Sequence, residues 1–284
     1  MTCEMMITEQ QASAFHDQGF LVVERLFDSA ALAAIHRAID TTLDRFDQSA
    51  HRSVFSTEDR DQGRDEVFFR SAERVEYFLE EDALDDAGTL TRPLPLAINK
   101  IGHALHDHMP EIGALARDPR IGDTLRTLGQ ERPTLWQSMV IFKQPGIGGA
   151  VRWHQDASYL HTAPASVIGV WLALEDATLD NGCLLVAPGQ HQSPLRERYR
   201  VDWAQRCGTL ETLDAMPWPE DGEGHAVEVP EGTLVLFSDH LPHASSHNHS
   251  ANSRRALTFH TSDAASSWSS DNWLQRPTLP LFRL

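Results

Sequence analysis

From about Leu135 onward the chain is cut into short runs: QSMVIFK, ASVIGVWLALE, GCLLVAPG, HAVEVP, GTLVLF and RALTFH. Each is apolar or alternating and rich in β-branched and aromatic residues, and Gly, Pro, Asn and Asp punctuate them. Many short strands with such turns point to a sandwich or a barrel. The part before them reads mostly helical. Helices first and strands second is not the regular strand–helix alternation that builds a parallel sheet. The sequence therefore predicts one domain over 1–284, mainly β with α. It has a helix-rich part at 1–130, a β core at about 131–263 on which the helices pack, and an irregular tail at 264–284.

Local signals fill in the first part. Thr8 is the N-cap of a helix to about Gln18, GFLVVERLF from Gly19 gives a short strand, and Asp28 or Ser29 caps AALAAIHRAIDTTLDRF. Residues 71–83, SAERVEYFLEEDA, read as an acidic helix. Residues 97–108 and 118–128 read as two more, broken at Pro110 and Gly129. Residues 46–65 are polar and aperiodic, a texture that lids share with disordered segments. Residues 190–225 read as a long insertion between strands, and Trp268 and Trp273 of the tail are expected to pack on the core.

The net charge is -17. The acidity is read mainly as solubility. It also repels phosphate backbones and anionic lipid, so neither nucleic acid nor a membrane is an expected partner. No apolar run approaches the roughly 20 residues that span a bilayer, and MTCEMMITEQQ lacks a basic segment leading into an apolar one. Cys3, Cys183 and Cys207 are too few and unevenly numbered for a disulfide framework. The expected location is cytoplasmic. Oligomeric state is left open.

RWHQDASYLH, residues 152–161, follows the glycine-rich QPGIGGA. In a strand, His154 and Asp156 point to one side and Gln155 to the other. Alone the pair is weak, since an H-x-D is expected about once by chance in a chain of this composition. GTLVLFSDHLPHASSHNHSANSRRALTFH then supplies His240, His243, His247, His249 and His260 near the end of an apolar strand. Two histidines and one carboxylate with open positions make the facial triad of non-haem Fe(II) oxygenases. Structural zinc is disfavoured, because no cysteine pair has C-x-x-C spacing.

HQD, VWLALEDATLDNGCLLVAPGQH, LPHAS and RRALTFH together resemble the phytanoyl-CoA dioxygenase family of Fe(II)- and 2-oxoglutarate-dependent oxygenases. The likeness extends to NKIGHALHDH, QSMVIFKQP and SSDNWLQ, and so covers nearly the whole chain. It is nearer to the family's domain-containing members than to the hydroxylase that names it. The resemblance implies a double-stranded β-helix, or jelly roll. It implies His154, Asp156 and His243 as metal ligands, with His240 the rival to His243. It assigns Arg254 to the far carboxylate of 2-oxoglutarate; a guanidinium suits a carboxylate, and adjacent Arg255 must face the other way.

Ser245, Lys100, Trp171 and Met139 match the family's cosubstrate pocket less sharply. Their plainer readings are a turn residue, a surface lysine and two core residues. His103 and His106 are read as packing residues, His161 as a loop residue, and His247 and His249 as solvated. Asn181 and Gly182 are read as a turn, and Cys183 is given no redox role.

The implied activity is hydroxylation of a C–H bond of a small or mid-sized organic substrate, with dioxygen consumed and succinate and carbon dioxide released. Intact Asp156 speaks against halogenation, for which related enzymes carry a small residue at this place. The lack of a clear basic cluster speaks against a CoA thioester. The alternatives are a non-catalytic 2-oxoglutarate or metal-binding protein on the same fold, and a zinc or manganese cupin-like enzyme.

Overall fold

The computed structural model describes residues 7–46, 53–54, 66–220 and 222–284. Helix α1 (Glu9–Gln18) opens on a reciprocal cap: the Thr8 hydroxyl accepts from the Gln11 N–H, and the Gln11 side chain accepts from the Thr8 N–H. Gly19, at φ 84°, ends it in the left-handed region and releases the chain into β1 (Phe20–Val23). Asp28 caps α2 (Ser29–Asp44), whose buried Leu32, Ile35, Ile39 and Leu43 form one stripe.

The next segment departs from the sequence reading. Beyond β2 (Ser53–Val54) and α3 (Glu66–Arg70), residues 71–83 are not a helix. A single 3-10 turn precedes β3 (Val75–Leu79), which pairs parallel with β2 and antiparallel with β4 (Ile98–His103). Residues 97–108 are likewise that strand followed by one helical turn, α4 (Leu105–His108). The break expected at Pro110 is there, since α4 ends before it, and Pro110 also begins the next helix, α5 (Pro110–Ala116), at the position where its missing N–H costs nothing. Helix α6 (Pro119–Thr127) stands where expected. Most of the loop at 46–65 lies outside the described residues.

The second part is strand after strand. It runs β5 (Pro133–Lys143), β6 (Val151–His154), β7 (Thr162–Ala163), β8 (Ile168–Ala173) and β9 (Leu184–Val186). The insertion at 190–225 contains a ribbon of β10 (Glu197–Asp202) and β11 (Cys207–Thr212). Then come β12 (His225–Val227), β13 (Leu234–Ser238), β14 (His243–Ser245), β15 (Arg254–Asp263), β16 (Ser267–Trp268) and β17 (Phe282–Arg283).

Two sheets result. The larger has the order β1-β13-β8-β15-β5-β4-β3-β2, with β17 also on β5; the smaller has β12-β9-β14-β6. This is the jelly roll with helices on one face. Alternation along the central strands feeds two cores. Val170, Leu172, Leu234, Leu236, Leu257 and Phe259 pack with the helices. Their strand neighbours Trp171, Ala173, Val235, Phe237 and Ala256 pack between the sheets with Leu184 and Val186. Both faces are buried, so these strands read as continuous apolar runs rather than alternating ones. In the tail, Trp268 stacks on Trp136 at 3.8 Å and Trp273 is buried.

Candidate active site

Strand β14 places His243 directly opposite His154 of β6, with ring centroids 4.2 Å apart. Asp156 follows as the chain leaves β6 and turns into a 3-10 turn. Its Oδ1 lies 3.7 Å from Nε2 of His154 and 3.7 Å from Nε2 of His243. One ligand atom from each of the three residues falls within 4.8 Å of the others.

Protonation is set from outside the cluster. Nδ1 of His154 donates to the Arg152 carbonyl at 2.9 Å, and Nδ1 of His243 to the Leu241 carbonyl at 3.0 Å. Each ring is thereby turned with Nε2 inward, and in the neutral form that nitrogen carries the lone pair with which imidazole ligates a metal. Burial pushes the His154 imidazole down to about 3. Burial alone would raise the Asp156 carboxyl, but the imidazoles of His260, His243 and His154 hold it well below the usual carboxylate range. Two imidazoles and one carboxylate, with no further His, Cys, Asp or Glu in the group among the described residues, fit a divalent metal with open positions.

The cluster opens into a cavity of about 160 Å³ between the sheets. All five other residues expected from the sequence line it: Lys100, Met139, Trp171, Ser245 and Arg254. Lys100 is neither helical nor on the surface. It is buried on β4, its Nζ 5.2 Å from the Phe78 ring centroid. Ser245 shares β14 with His243. Trp171 and Met139 stand opposite Thr258 from the two sides of β15.

Arg254 and Arg255 separate as alternation requires. Arg255 turns to the helices and pairs with Asp40 of α2 at 2.9 Å. Arg254 is buried, and burial lowers its guanidinium to about 10. Its Nε and Nη2 both donate to the Gly182 carbonyl, and its Nη1 has no partner among the described residues. A buried guanidinium with an unused N–H beside a cavity fits an acid group there.

The rival histidines are elsewhere. His240 turns aside, its Nδ1 on the Asp239 carboxylate at 2.9 Å. His103 and His106 are buried, each bonded to a serine, Ser71 and Ser138. His247 and His249 are exposed, and His161 sits in a loop pinned by Asn272. Cys183 is buried and its thiol is pushed up to about 11, which fits no redox role.

Sequence reasoning missed Lys143, Thr258 and His260, which also line the cavity. Lys143 is the register partner of Arg254, and its Nζ donates to the carbonyls of Gly149 and Ser246. Thr258 and His260 lie four and six residues after Arg254 on the same strand face. That even spacing was the available signal.

The family model for phytanoyl-CoA dioxygenase (PhyH) matches residues 15–256. A phytanoyl-CoA dioxygenase of Arabidopsis thaliana is 39% identical over 276 residues, 96% of this chain and 95% of that protein. Phytanoyl-CoA dioxygenase domain-containing protein 1 of Bos taurus is 38% identical over 282 residues, 96% and 97%. Among solved structures, EctD from S. alaskensis with 2-oxoglutarate and 5-hydroxyectoine aligns with TM-score 0.65 at 20% identity, over 99% of this chain and 87% of that one. The non-heme alpha ketoglutarate dependent carbocyclase SnoK from nogalamycin biosynthesis gives 0.65 at 17%, over 92% and 86%. At such identities these two speak for the fold.

Proposed function

The chain belongs to the phytanoyl-CoA dioxygenase family, and from that membership we propose that it is an Fe(II)- and 2-oxoglutarate-dependent dioxygenase hydroxylating a C–H bond of a small or mid-sized organic substrate. The observation that carries this reading is one cavity holding both halves of the machinery. His154, Asp156 and His243 converge at one side, and Arg254 with its unused Nη1 lies at another.

His154 and His243 offer Nε2, and Asp156 offers Oδ1 together with the negative charge that a divalent cation needs. Bound Fe(II) supplies oxidation of a C–H bond by dioxygen, coupled to conversion of 2-oxoglutarate to succinate and carbon dioxide. The chain's residues bind and orient. Arg254 pairs with the far carboxylate of 2-oxoglutarate, and Ser245 and Lys100 supply further donors. Trp171 and Met139 wall the cosubstrate and keep water from it.

The cavity is below the roughly 300–1,000 Å³ of sites that enclose drug-sized ligands. A short dicarboxylate is of a size to sit inside it; a whole acyl-CoA would have to lie largely outside. The primary substrate must approach where the triad meets solvent, at His154, whose side chain is 18% exposed against 7% and 8% for His243 and Asp156. Arg152 stands there, already paired with Glu197 at 2.9 Å.

Succinate formation tests the reading. Protein reconstituted anaerobically with Fe(II) and then given 2-oxoglutarate, air and candidate substrates should release succinate, and His154→Ala should not. A wild type that releases none with any substrate while it still binds both would favour a non-catalytic binding role.

A further inference from the structure

Asp156 has two carboxylate oxygens, and only Oδ1 faces the two inward nitrogens of His154 and His243. Oδ2 is occupied. It lies 3.0 Å from Nε2 of His260. The other ring nitrogen of His260, Nδ1, lies 2.8 Å from Nε2 of Gln137. An amide nitrogen can only donate, so Nδ1 carries the lone pair and Nε2 carries the proton. The proton points at Asp156. His260 thus cannot ligate a metal through Nε2 while it holds this bond.

The holder is itself held. His260 and Gln137 are register partners across β15 and β5, two central strands of the larger sheet. Gln137, His260 and Asp156 are 4%, 5% and 6% exposed. Without a donor at Oδ2, the carboxylate could rotate or present both oxygens to the metal, and a buried oxygen would lose its partner.

We propose that His260 is a positioning residue of the metal centre: by donating to Oδ2 it fixes Asp156 as a one-oxygen ligand, and Gln137 fixes the tautomer that lets it do so. This rests on the functional reading above. Its consequence is metal affinity, since partners that orient a ligand from behind typically change affinity roughly 10- to 100-fold.

The test compares wild type with His260→Ala, His260→Gln and His260→Asn. Anaerobic Fe(II) affinity and the visible absorption of the Fe(II)–2-oxoglutarate complex are measured, with thermal unfolding of each apoprotein as a fold control. Glutamine carries its amide nitrogen as many bonds from the backbone as Nε2; asparagine falls one short. The expected result is Fe(II) binding weakened roughly 10- to 100-fold in His260→Ala and His260→Asn, with a shifted absorption band, and largely restored in His260→Gln. Wild-type affinity in His260→Ala, or no advantage of Gln over Asn, overturns the proposal. If His260→Ala does not fold, the Gln and Asn pair decides it. A wild type that binds no Fe(II) instead overturns the functional reading, and the role of His260 with it.

Discussion

Arg254 directs two of its N–H groups, Nε at 3.1 Å and Nη2 at 2.9 Å, to one backbone oxygen, that of Gly182. The carbonyl fixes the plane of the guanidinium, and the unpartnered Nη1 is left for a ligand. Arg254→Met should weaken 2-oxoglutarate binding about 100-fold, or about 2.7 kcal/mol, the scale for removing one partner of a buried charge-assisted pair. Fe(II) affinity should hold, because Arg254 does not touch the triad. Isothermal titration of the apoprotein with Fe(II), and then of the metal-loaded protein with 2-oxoglutarate, reads the two quantities. Equal cosubstrate affinity in the two proteins would remove Arg254 from the site.

Gly182 has its own requirement. Its φ is 81°, and a Cβ there would sit 2.7 Å from the Ser246 carbonyl and 2.9 Å from Cδ of Lys143. Gly182→Ala therefore carries about 1–2 kcal/mol of left-handed backbone cost and moves the carbonyl that holds Arg254. The KM for 2-oxoglutarate should rise while the metal dissociation constant stays unchanged. An unchanged KM would mean that this carbonyl does not set the guanidinium.

Gly169 acts on the metal side. A Cβ on it would meet the Phe237 ring at 2.3 Å, and that ring packs on His243 with centroids 4.6 Å apart. Gly169→Ala should overpack the inter-sheet core by about 1–3 kcal/mol and push the ring towards His243. Fe(II) should bind more weakly in a protein that still unfolds cooperatively. Phe237→Leu in the same chain should recover part of the loss by making room, and no recovery would count against this route.

His106, which does not line the cavity, sets a pH dependence of its own. Burial pushes its imidazole down to about 2, and the nearby Arg276 guanidinium adds to this. Nε2 faces Nη1 of Arg276 at 3.0 Å, so the neutral form is the one that fits. Below about pH 6.5 the unfolded chain takes up a proton that the folded chain refuses. Stability is therefore lost as pH falls from about 6.5 towards 2. Urea unfolding at pH 7 and pH 5 should show a wild-type loss roughly 2 kcal/mol greater than that of His106→Gln, from this one group. Equal losses would contradict it.

Much of this was legible in the sequence, for physical reasons that differ by element. The second part was readable because its strands are short, β-branched and cleanly punctuated. That His154, Asp156 and His243 come together was readable from the surrounding motifs, since the H-x-D spacing alone recurs by chance. Strand β3 was not. In SAERVEYFLEEDA the charges flank the apolar core in a way that also suits a helix, and pairing with β2 and β4 decided the outcome. Strand β4 hid for the opposite reason. All six of its residues are buried, including Asn99, Lys100 and His103, so no alternation shows. Lys100 was thus expected in the site but on the wrong kind of element. His260 was named only as one histidine of its segment: its even spacing after Arg254 could have placed it on the cavity face, but its contact with Asp156 joins residues 104 apart.

The most direct test of the central claim joins the two halves of the site in one cuvette. Fe(II) and then 2-oxoglutarate are added anaerobically to the wild type, His243→Ala and Arg254→Met, and the visible charge-transfer absorption of the metal–2-oxo acid chelate is followed. The account predicts a band at one equivalent of Fe(II) in the wild type and none in His243→Ala. In Arg254→Met the same band should appear only at about 100-fold higher 2-oxoglutarate. A band that persists without His243, or one indifferent to Arg254, would contradict the account.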